Sequence, residues 1–559
     1  MGQGLKSTKW KEWIMVALGI VIFLTILYRY IGINLYDSAS RGYFDSRISG
    51  KHAEKSFGQL LYNLHPQHLD IKNSLISWYV RFSVPSFSMR ESVQAPGGNA
   101  QSVPVLVYHG VLTHDSNYNI HINQFRAQME ALYEQGWKTI STDELTEFLD
   151  GTGTVPDKSF VLSFDDGRRD SYFPVDPILE SLGFRATIFV IPQYSLEYDY
   201  NSQYYLSHFD INEMHKSGRW DIESHTWNGH NQHFVDSNQE QKGIFLANRL
   251  WNVEQGRLET QSEFRLRVRD DIAHADKRIK NFLGKQSTVL AYPFGNYGDK
   301  GSNFNQAASI VLEESKKIHK HGFVQVRDGL LRGTSFSQNT INADNFLVSR
   351  INVNANWTPD DLLDVLASGQ PKDLPYSADM REYLGFFAPD GIIQWQGDDL
   401  WLHTLSQFSV VNAVLDGSQQ WKDYTFDVVG VPDAEPYVEL HGRIQKSEPF
   451  PACVFTGEAI KIIIKDRENK LNTTLASERR KSDLKRVSQK YSMTITDNFV
   501  RCENAQSTVE YRTEGVMEYS ANGGVGVGII QLPGKGEQNF YIQNISATPF
   551  KPEIRSTQL

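Results

Sequence analysis

The chain has 559 residues, enough for two or three domains, and 40% hydrophobic with 12% aromatic residues is a globular composition. A net charge of -10 and the lack of any long basic run argue against a nucleic-acid binder. Its two cysteines, Cys453 and Cys502, exclude a disulfide scaffold and a thiolate zinc site; they can pair if their region is exported, and two buried thiols is an equally good reading.

Lys6, Lys9 and Lys11 precede an uninterrupted apolar run from Trp13 to Tyr28, "WIMVALGIVIFLTILY". A cleaved signal peptide has a shorter apolar core with a small-residue cleavage site close behind it. We therefore expect residues 1–36 to be a cytoplasmic tail and a single uncleaved membrane anchor. The lysines then lie inside, and everything after the run lies outside, in a periplasm or at a cell surface. Cleavage after Ser40 is the alternative. Residues 37–100 read as a polar juxtamembrane linker ending in "QAPGGNAQS".

A regular alternation then begins. "VPVLVYHG" is a predicted strand and "INQFRAQMEALYEQG" an amphipathic helix; "WKTIS" and "DELTEFL" form the next pair. "FVLSFDDG" leads to a helix in "DPILESLG", and "RATIFVIP" to one in "DINEMHKSG". Strand "WDIESHT" is followed by a long polar insertion and the helix "RVRDDIAHADKRIKNFLG". "TVLAYPFG", a helix within "FNQAASIVLEESKKIHKHG", and strands "FVQVR" and "FLVSRINV" complete the series. Parallel βα units repeated about seven times predict a distorted (β/α) barrel over residues 101–370, with its chemistry at the C-terminal strand ends.

From about Leu384 to residue 552 short alternating strands such as "WKDYTFDVVGV", "YVELHGRI" and "GGVGVGIIQL" predict an all-β, jelly-roll-like sandwich, interrupted by the charged patch "ERRKSDLKR". Trp395, Trp401 and Trp421 are candidates for stacking on sugar rings, but sandwich aromatics are usually core, and at least two of the three are expected there.

The barrel strand ends carry the chemistry. "FVLSF" ends in Asp165 and Asp166, two adjacent carboxylates that repel unless a proton or cation sits between them. "WDIES" ends in His225, with His230 five residues on, and a loop bent at Gly229 could bring the two rings together. Two histidines and a carboxylate supply three N/O ligands and leave a position open, as catalytic zinc sites do. One aspartate would then bind the cation and its neighbour act as a base, the cation lowering the pKa of a bound water.

In "SFDDG", "SHTWNGH" and "AYPFG", with "VPVLVYHG" as entry strand and "RINVNANWTPDDLLDVL" as exit, residues from about Val103 to Leu366 resemble a polysaccharide deacetylase domain of carbohydrate esterase family 4, the NodB homology domain. The resemblance implies a general base at Asp165 and metal ligands at Asp166, His225 and His230. It also implies help for the oxyanion from the Phe294 amide after Pro293. The implied cofactor is a divalent metal, zinc first, with nickel, cobalt or manganese as alternatives. The implied reaction is hydrolysis of N-acetyl groups from an amino-sugar polymer.

The histidine spacing, the insertion between Gln232 and Glu263, and "AYPFG" without the family's preceding arginine resemble the branch that acts on poly-N-acetylglucosamine during biofilm export. No late Leu-x-His motif supplies a general acid, and His319 and His321 read as surface residues of a helix tail. The implied partners are an N-acetylated polysaccharide, the membrane and exopolysaccharide export machinery. The alternatives are a peptidoglycan or chitin-oligomer deacetylase, or a non-catalytic glycan-binding or assembly protein on the same fold.

Overall fold

Seven apolar runs separated by helices become the strands of one parallel sheet: Val103–Tyr108 (β1), Ser159–Phe164 (β2), Ala186–Val190 (β3), Trp220–Ser224 (β4), Val289–Ala291 (β5), His321–Val326 (β6) and Leu347–Asn352 (β7). The helices are Ile122–Glu134 (α1), Thr142–Leu149 (α2), Asp176–Leu182 (α3), His208–Lys216 (α4), Gln261–Leu283 (α5), Ala307–Lys316 (α6) and Pro359–Ser368 (α7). This computed structural model describes residues 98–551 except 117, 198–203, 327–336, 342–345, 379–385, 388–391, 398, 406–409, 434–436, 446–448, 467–470, 480–486, 514–518, 533 and 535, together with 76, 77 and 80. The expected anchor at 13–28 and most of the 37–100 linker lie outside the described residues. Among the described residues no helix is long and apolar enough to cross a membrane.

The strand order is β1-β7-β6-β5-β4-β3-β2, and β1 also pairs in parallel with β2, Val105 opposite Val161 and Leu106 opposite Leu162. The sheet is therefore a closed seven-stranded barrel. β1, β2 and β3 are buried along their whole length, as parallel strands are when a core lies on one face and helices on the other. Val105, Val161, Phe189, Ala291, Phe323 and Val348 share the inner core. On the outside, Phe264, Val268 and Ile272 of α5 and Ile310 and Val311 of α6 pack on Leu290 and Tyr292. Helices α2, α4, α5 and α7 each start at a Ser or Thr with an acid three residues inside the helix, and all four form capping boxes.

Helix α2 plugs the N-terminal end of the barrel, Leu145 and Phe148 joining the inner core. Thr142 donates its N–H to Asp221 and its hydroxyl to Glu223. Glu223 also accepts from Ser287 Oγ and Val289 N, and burial pushes its carboxyl up to about 7. The expectation that His319 and His321 are surface residues is overturned here. They are 3% and 0% exposed, because α6 ends at Lys316 and the chain turns inward to start β6 at His321. His319 Nδ1 meets the Ser287 carbonyl, and burial lowers its pKa to about 4. Both rings belong to the closed end, away from the strand ends that carry the candidate site.

Beyond the barrel, two antiparallel sheets stack. The first runs Ile392–Gln396 (β8), Asp399–His403 (β9), Asn539–Pro549 (β20), Tyr424–Pro432 (β11), Gln489–Ile495 (β16), Phe499–Asn504 (β17) and Thr508–Arg512 (β18). The second runs Phe386–Phe387, Val410–Leu415 (β10), Gly524–Ile530 (β19), Val438–Ile444 (β12), Phe450–Phe455 (β13), Ala459–Asp466 (β14) and Leu471–Arg479 (β15). Alternate residues such as Phe426, Val428, Leu440, Ile462, Met493 and Val527 fill the space between them. Cys453 on β13 and Cys502 on β17 form a disulfide that ties one sheet to the other, which decides between the two readings of the cysteines. Tyr376–Ser377 already pairs with β20, upstream of Leu384.

Barrel and sandwich meet in a buried polar seam. Asp416, at the end of β10, accepts from the N–H and the hydroxyl of Ser337, and Lys372 N donates to the Gly417 carbonyl at 2.8 Å. Trp421 is 3% exposed, and its indole N–H reaches the Lys372 carbonyl. It is core; at least two of the three tryptophans were expected there, but Trp401 is half-buried and the Trp395 side chain lies outside what the structure describes.

Candidate active site

At the exit of β2 the backbone changes hand. Asp166 and Gly167 both take positive φ, 70° and 64°. That is a costly conformation for an aspartate and an easy one for glycine. The reversal separates the two carboxylates, which then face different partners. A side chain at Gly167 would also crowd the backbone of Val190 at 3.3 Å.

His225 continues β4, 1% exposed, with its N–H on the Val190 carbonyl at 2.8 Å. Its Nδ1 lies 2.8 Å from the Ala291 carbonyl. Nδ1 therefore carries the proton, and the Nε2 lone pair points the other way. The bend that returns the chain to His230 falls at Thr226, at φ 66°, and not at Gly229. Gly229 matters for its missing side chain, since a Cβ there would sit 2.4 Å from Thr226 Oγ1.

The result is convergence. One atom each of Asp166, His225 and His230 lie within 4.8 Å of one another. Asp166 Oδ1 is 3.5 Å from His225 Nε2 and 3.1 Å from His230 Nε2, yet it is buried without a hydrogen-bond partner. Burial pushes the Asp166 carboxyl up, and the two imidazoles facing it more than reverse this, holding it well below the usual range. A buried carboxylate oxygen and imidazole nitrogens converging on one point fit a divalent cation. His230 is also the open side of the group, its side chain 32% exposed.

Asp165 turns inward, 1% exposed. Arg350, from β7, bonds it through both terminal nitrogens at 2.5 and 2.9 Å, and Gln325 of β6 donates to Oδ2 at 2.8 Å. Burial raises the Asp165 carboxyl, but the guanidinium charge leads the effects that bring it below its ordinary value. Gln325 Nε2 also lies 3.3 Å from Nε2 of His109, which follows β1, and burial lowers the His109 pKa. Pro293 and Phe294 stand at the exit of β5; Phe294 takes φ 60°, is 43% exposed, and its ring centre lies 4.5 Å from that of His230.

All six residues singled out from the sequence thus sit at one end of the barrel. Sequence reasoning missed Arg350, Gln325 and His109. His109 was in view, as the last polar residue of "VPVLVYHG"; Arg350 and Gln325 offered no local cue, because barrel closure alone brings them to Asp165.

Residues 152–310 match the polysaccharide deacetylase family. This stretch lies in the closed barrel and carries the Asp–His–His group, and it is similar to polysaccharide deacetylase domains. The chain is 24% identical over 222 residues to the poly-β-1,6-N-acetyl-D-glucosamine N-deacetylase of Escherichia coli K12, covering 38% of this chain and 31% of that one. It is 28% identical over 184 residues to the enzyme of the same name from Staphylococcus aureus MRSA252, covering 33% and 56%. The chain thus spans less than two thirds of either relative. Among solved structures, the de-N-acetylase of Aggregatibacter actinomycetemcomitans superposes with a TM-score of 0.40 at 20% identity, over 47% of this chain and 99% of that one.

Proposed function

We propose that the chain is a metal-dependent N-deacetylase of an exported, N-acetylated polysaccharide of the poly-N-acetylglucosamine kind. The observation that carries this reading is the placement of Asp165, held by Arg350, directly beside the Asp166–His225–His230 group. Those three residues would hold a divalent cation, zinc in first place, which supplies Lewis-acid polarisation of the amide carbonyl and acidifies water. Asp165 accepts the proton of the attacking water. Arg350 keeps that carboxylate ionised and Gln325 fixes its second oxygen. The Phe294 amide, in its left-handed turn over His230, is the donor for the developing oxyanion. His109, with its Nε2 3.3 Å from Gln325 Nε2, is our candidate for relaying that proton from Asp165 to the departing amine.

Two observations support export. The lysine-flanked apolar run at 13–28 suits an anchor with the catalytic domain outside the cytoplasm. The Cys453–Cys502 bridge suits an oxidising compartment. The sandwich is read as a glycan-binding module, through Trp401. The test is acetate release by the full chain in detergent, on poly-N-acetylglucosamine, peptidoglycan and chitin oligomers, with and without chelator. Release from none of them, with metal bound, would leave only the non-catalytic glycan-binding reading.

A further inference from the structure

The loop that carries the two histidines is strained. Between His225 and His230, Thr226 occupies the left-handed region at φ 66°, where a β-branched residue is an outlier. Such a conformation persists only where the surroundings over-determine the backbone. Part of the restraint is internal: the Gly229 N–H donates to Thr226 Oγ1 at 3.1 Å. The rest comes from outside the loop. Trp227 and Asn228, the two residues after the strained threonine, both donate their backbone N–H groups to the carboxylate of Asp271, at 3.1 and 2.7 Å.

Asp271 is 6% exposed and sits in the middle of α5. That helix is a rigid support: Phe264, Val268, Ile272 and Ala275 are fully buried, and Arg278 bonds the Leu196 carbonyl and the Glu197 carboxylate, both at 2.6 Å. Three residues beyond Asp271, the His274 ring lies 4.1 Å from that of Trp227. The helix therefore holds the loop by its backbone and by a side chain at the same point.

We propose that Asp271 is the positioning residue of the metal centre, its carboxylate fixing the 225–230 loop in the geometry that aims both imidazoles at Asp166. The proposal rests on the reading of Asp166, His225 and His230 as metal ligands. The requirement for an aspartate is chemical. A carboxylate accepts on both oxygens, whereas the asparagine amide presents a donor to one of the two N–H groups. It thereby loses one bond and sets donor against donor, with no change in size. Asp271 touches neither ligand, so its effect reaches the metal through the backbone alone.

The experiment uses the full chain in detergent with Asp271→Asn, Asp271→Ala and Asp271→Glu. Three readouts are compared: zinc affinity by competition with a chromogenic chelator, the melting temperature of the metal-free protein, and the visible spectrum of the cobalt-loaded protein. Asp271→Asn is expected to weaken zinc by about 10–100-fold and to alter the cobalt spectrum, while the metal-free melting temperature moves little. Asp271→Glu, which keeps two acceptor oxygens, recovers part of the affinity. If Asp271→Ala does not fold, the isosteric asparagine carries the test. Zinc affinity within twofold of the parent in Asp271→Asn overturns the proposal, as does a fall in metal-free melting temperature with an unchanged cobalt spectrum. Failure of the parent chain itself to bind zinc or cobalt is a different result, and sinks the ligand assignment on which the proposal stands.

Discussion

Arg350 grips Asp165 across 185 residues of sequence, through two nitrogens at 2.5 and 2.9 Å, with the side chains 0% and 1% exposed. A buried pair of this kind is costly to break from one side, about 3–5 kcal/mol, because the remaining charge is left uncompensated. Arg350→Gln should therefore lower the melting temperature. It should also move a pH limb. Asp165 titrates below its ordinary value with Arg350 in place; its contribution to stability is present above the unfolded carboxyl value, about 3.9, and is lost as pH falls through the folded one. Without the guanidinium, burial dominates and the carboxyl rises. The acid limb of kcat/KM should then shift upward, and an unmoved limb would remove Arg350 from the chemistry.

The two adjacent aspartates should separate cleanly. Asp165→Asn keeps the Asp166–His225–His230 group intact, so metal content stays near one ion per chain while acetate release falls by about two to four orders of magnitude, the usual span of a lost general base. Asp166→Ala, His225→Ala and His230→Ala each remove one of the three proposed ligands and should lose both metal and activity. Metal analysis of purified variants beside the rate assay checks this. A fully active Asp165→Asn protein would place the base elsewhere.

The gathering of Asp165, Asp166, His225 and His230 at one end of the barrel was legible because each lies in a short motif that follows a strand, and strand ends in parallel barrels face one side. Their partners were not. Arg350 is one charged residue in "FLVSRINV", and only closure of β7 onto β1 and β6 brings it to the site. Asp271 reads as one more acid of a polar helix until the loop it supports is seen. His319 and His321 were misread for a related reason: "ESKKIHKHG" continues a helical pattern on its face, while the chain leaves the helix and enters the barrel wall. In the sandwich, β20 is hard to read as a strand because "NFYIQNISATP" does not alternate cleanly. Its register shifts against β11 between Val429 and Gly430, so the inward set changes phase midway.

The disulfide yields a prediction that is independent of the metal. Cys453 and Cys502 are 49 residues apart and lie on opposite sheets. Closing such a loop typically contributes about 2–5 kcal/mol, most of it through the unfolded chain. Cys453→Ala with Cys502→Ala, or reduction, should lower the melting temperature of the sandwich and leave zinc affinity unchanged, since both cysteines belong to the sandwich core. A melting temperature insensitive to reductant would argue that the bridge is not formed in the folded protein.

Trp401 and Trp421 should respond in opposite ways to substitution. Trp421 is 3% exposed, its ring lying 5.7 Å from Tyr376 and 5.8 Å from Tyr424. Its replacement by alanine should cost about 3–5 kcal/mol as a core truncation and loosen the seam to the barrel. Trp401 lies on the other face of β9, half-buried, with Leu400 and Leu402 turned to the core. Its indole N–H is pinned to Asn539 Oδ1 at 2.9 Å, which His403 Nδ1 also meets at 2.8 Å. Its ring runs within 9° of parallel to Tyr541 at 6.2 Å. A ring held in one orientation by its own polar edge gives up little freedom when a sugar stacks on it, which is where affinity is otherwise lost. Trp401→Ala should thus reduce retention of the full chain on N-acetylated polymer in affinity electrophoresis, with the melting temperature shifted far less than in Trp421→Ala. Turnover of short oligomers should be unaffected, because every residue assigned to the chemistry lies in the barrel. Equal retention with and without the Trp401 ring would reduce it to a cross-strand packing residue, and the sandwich to a structural domain.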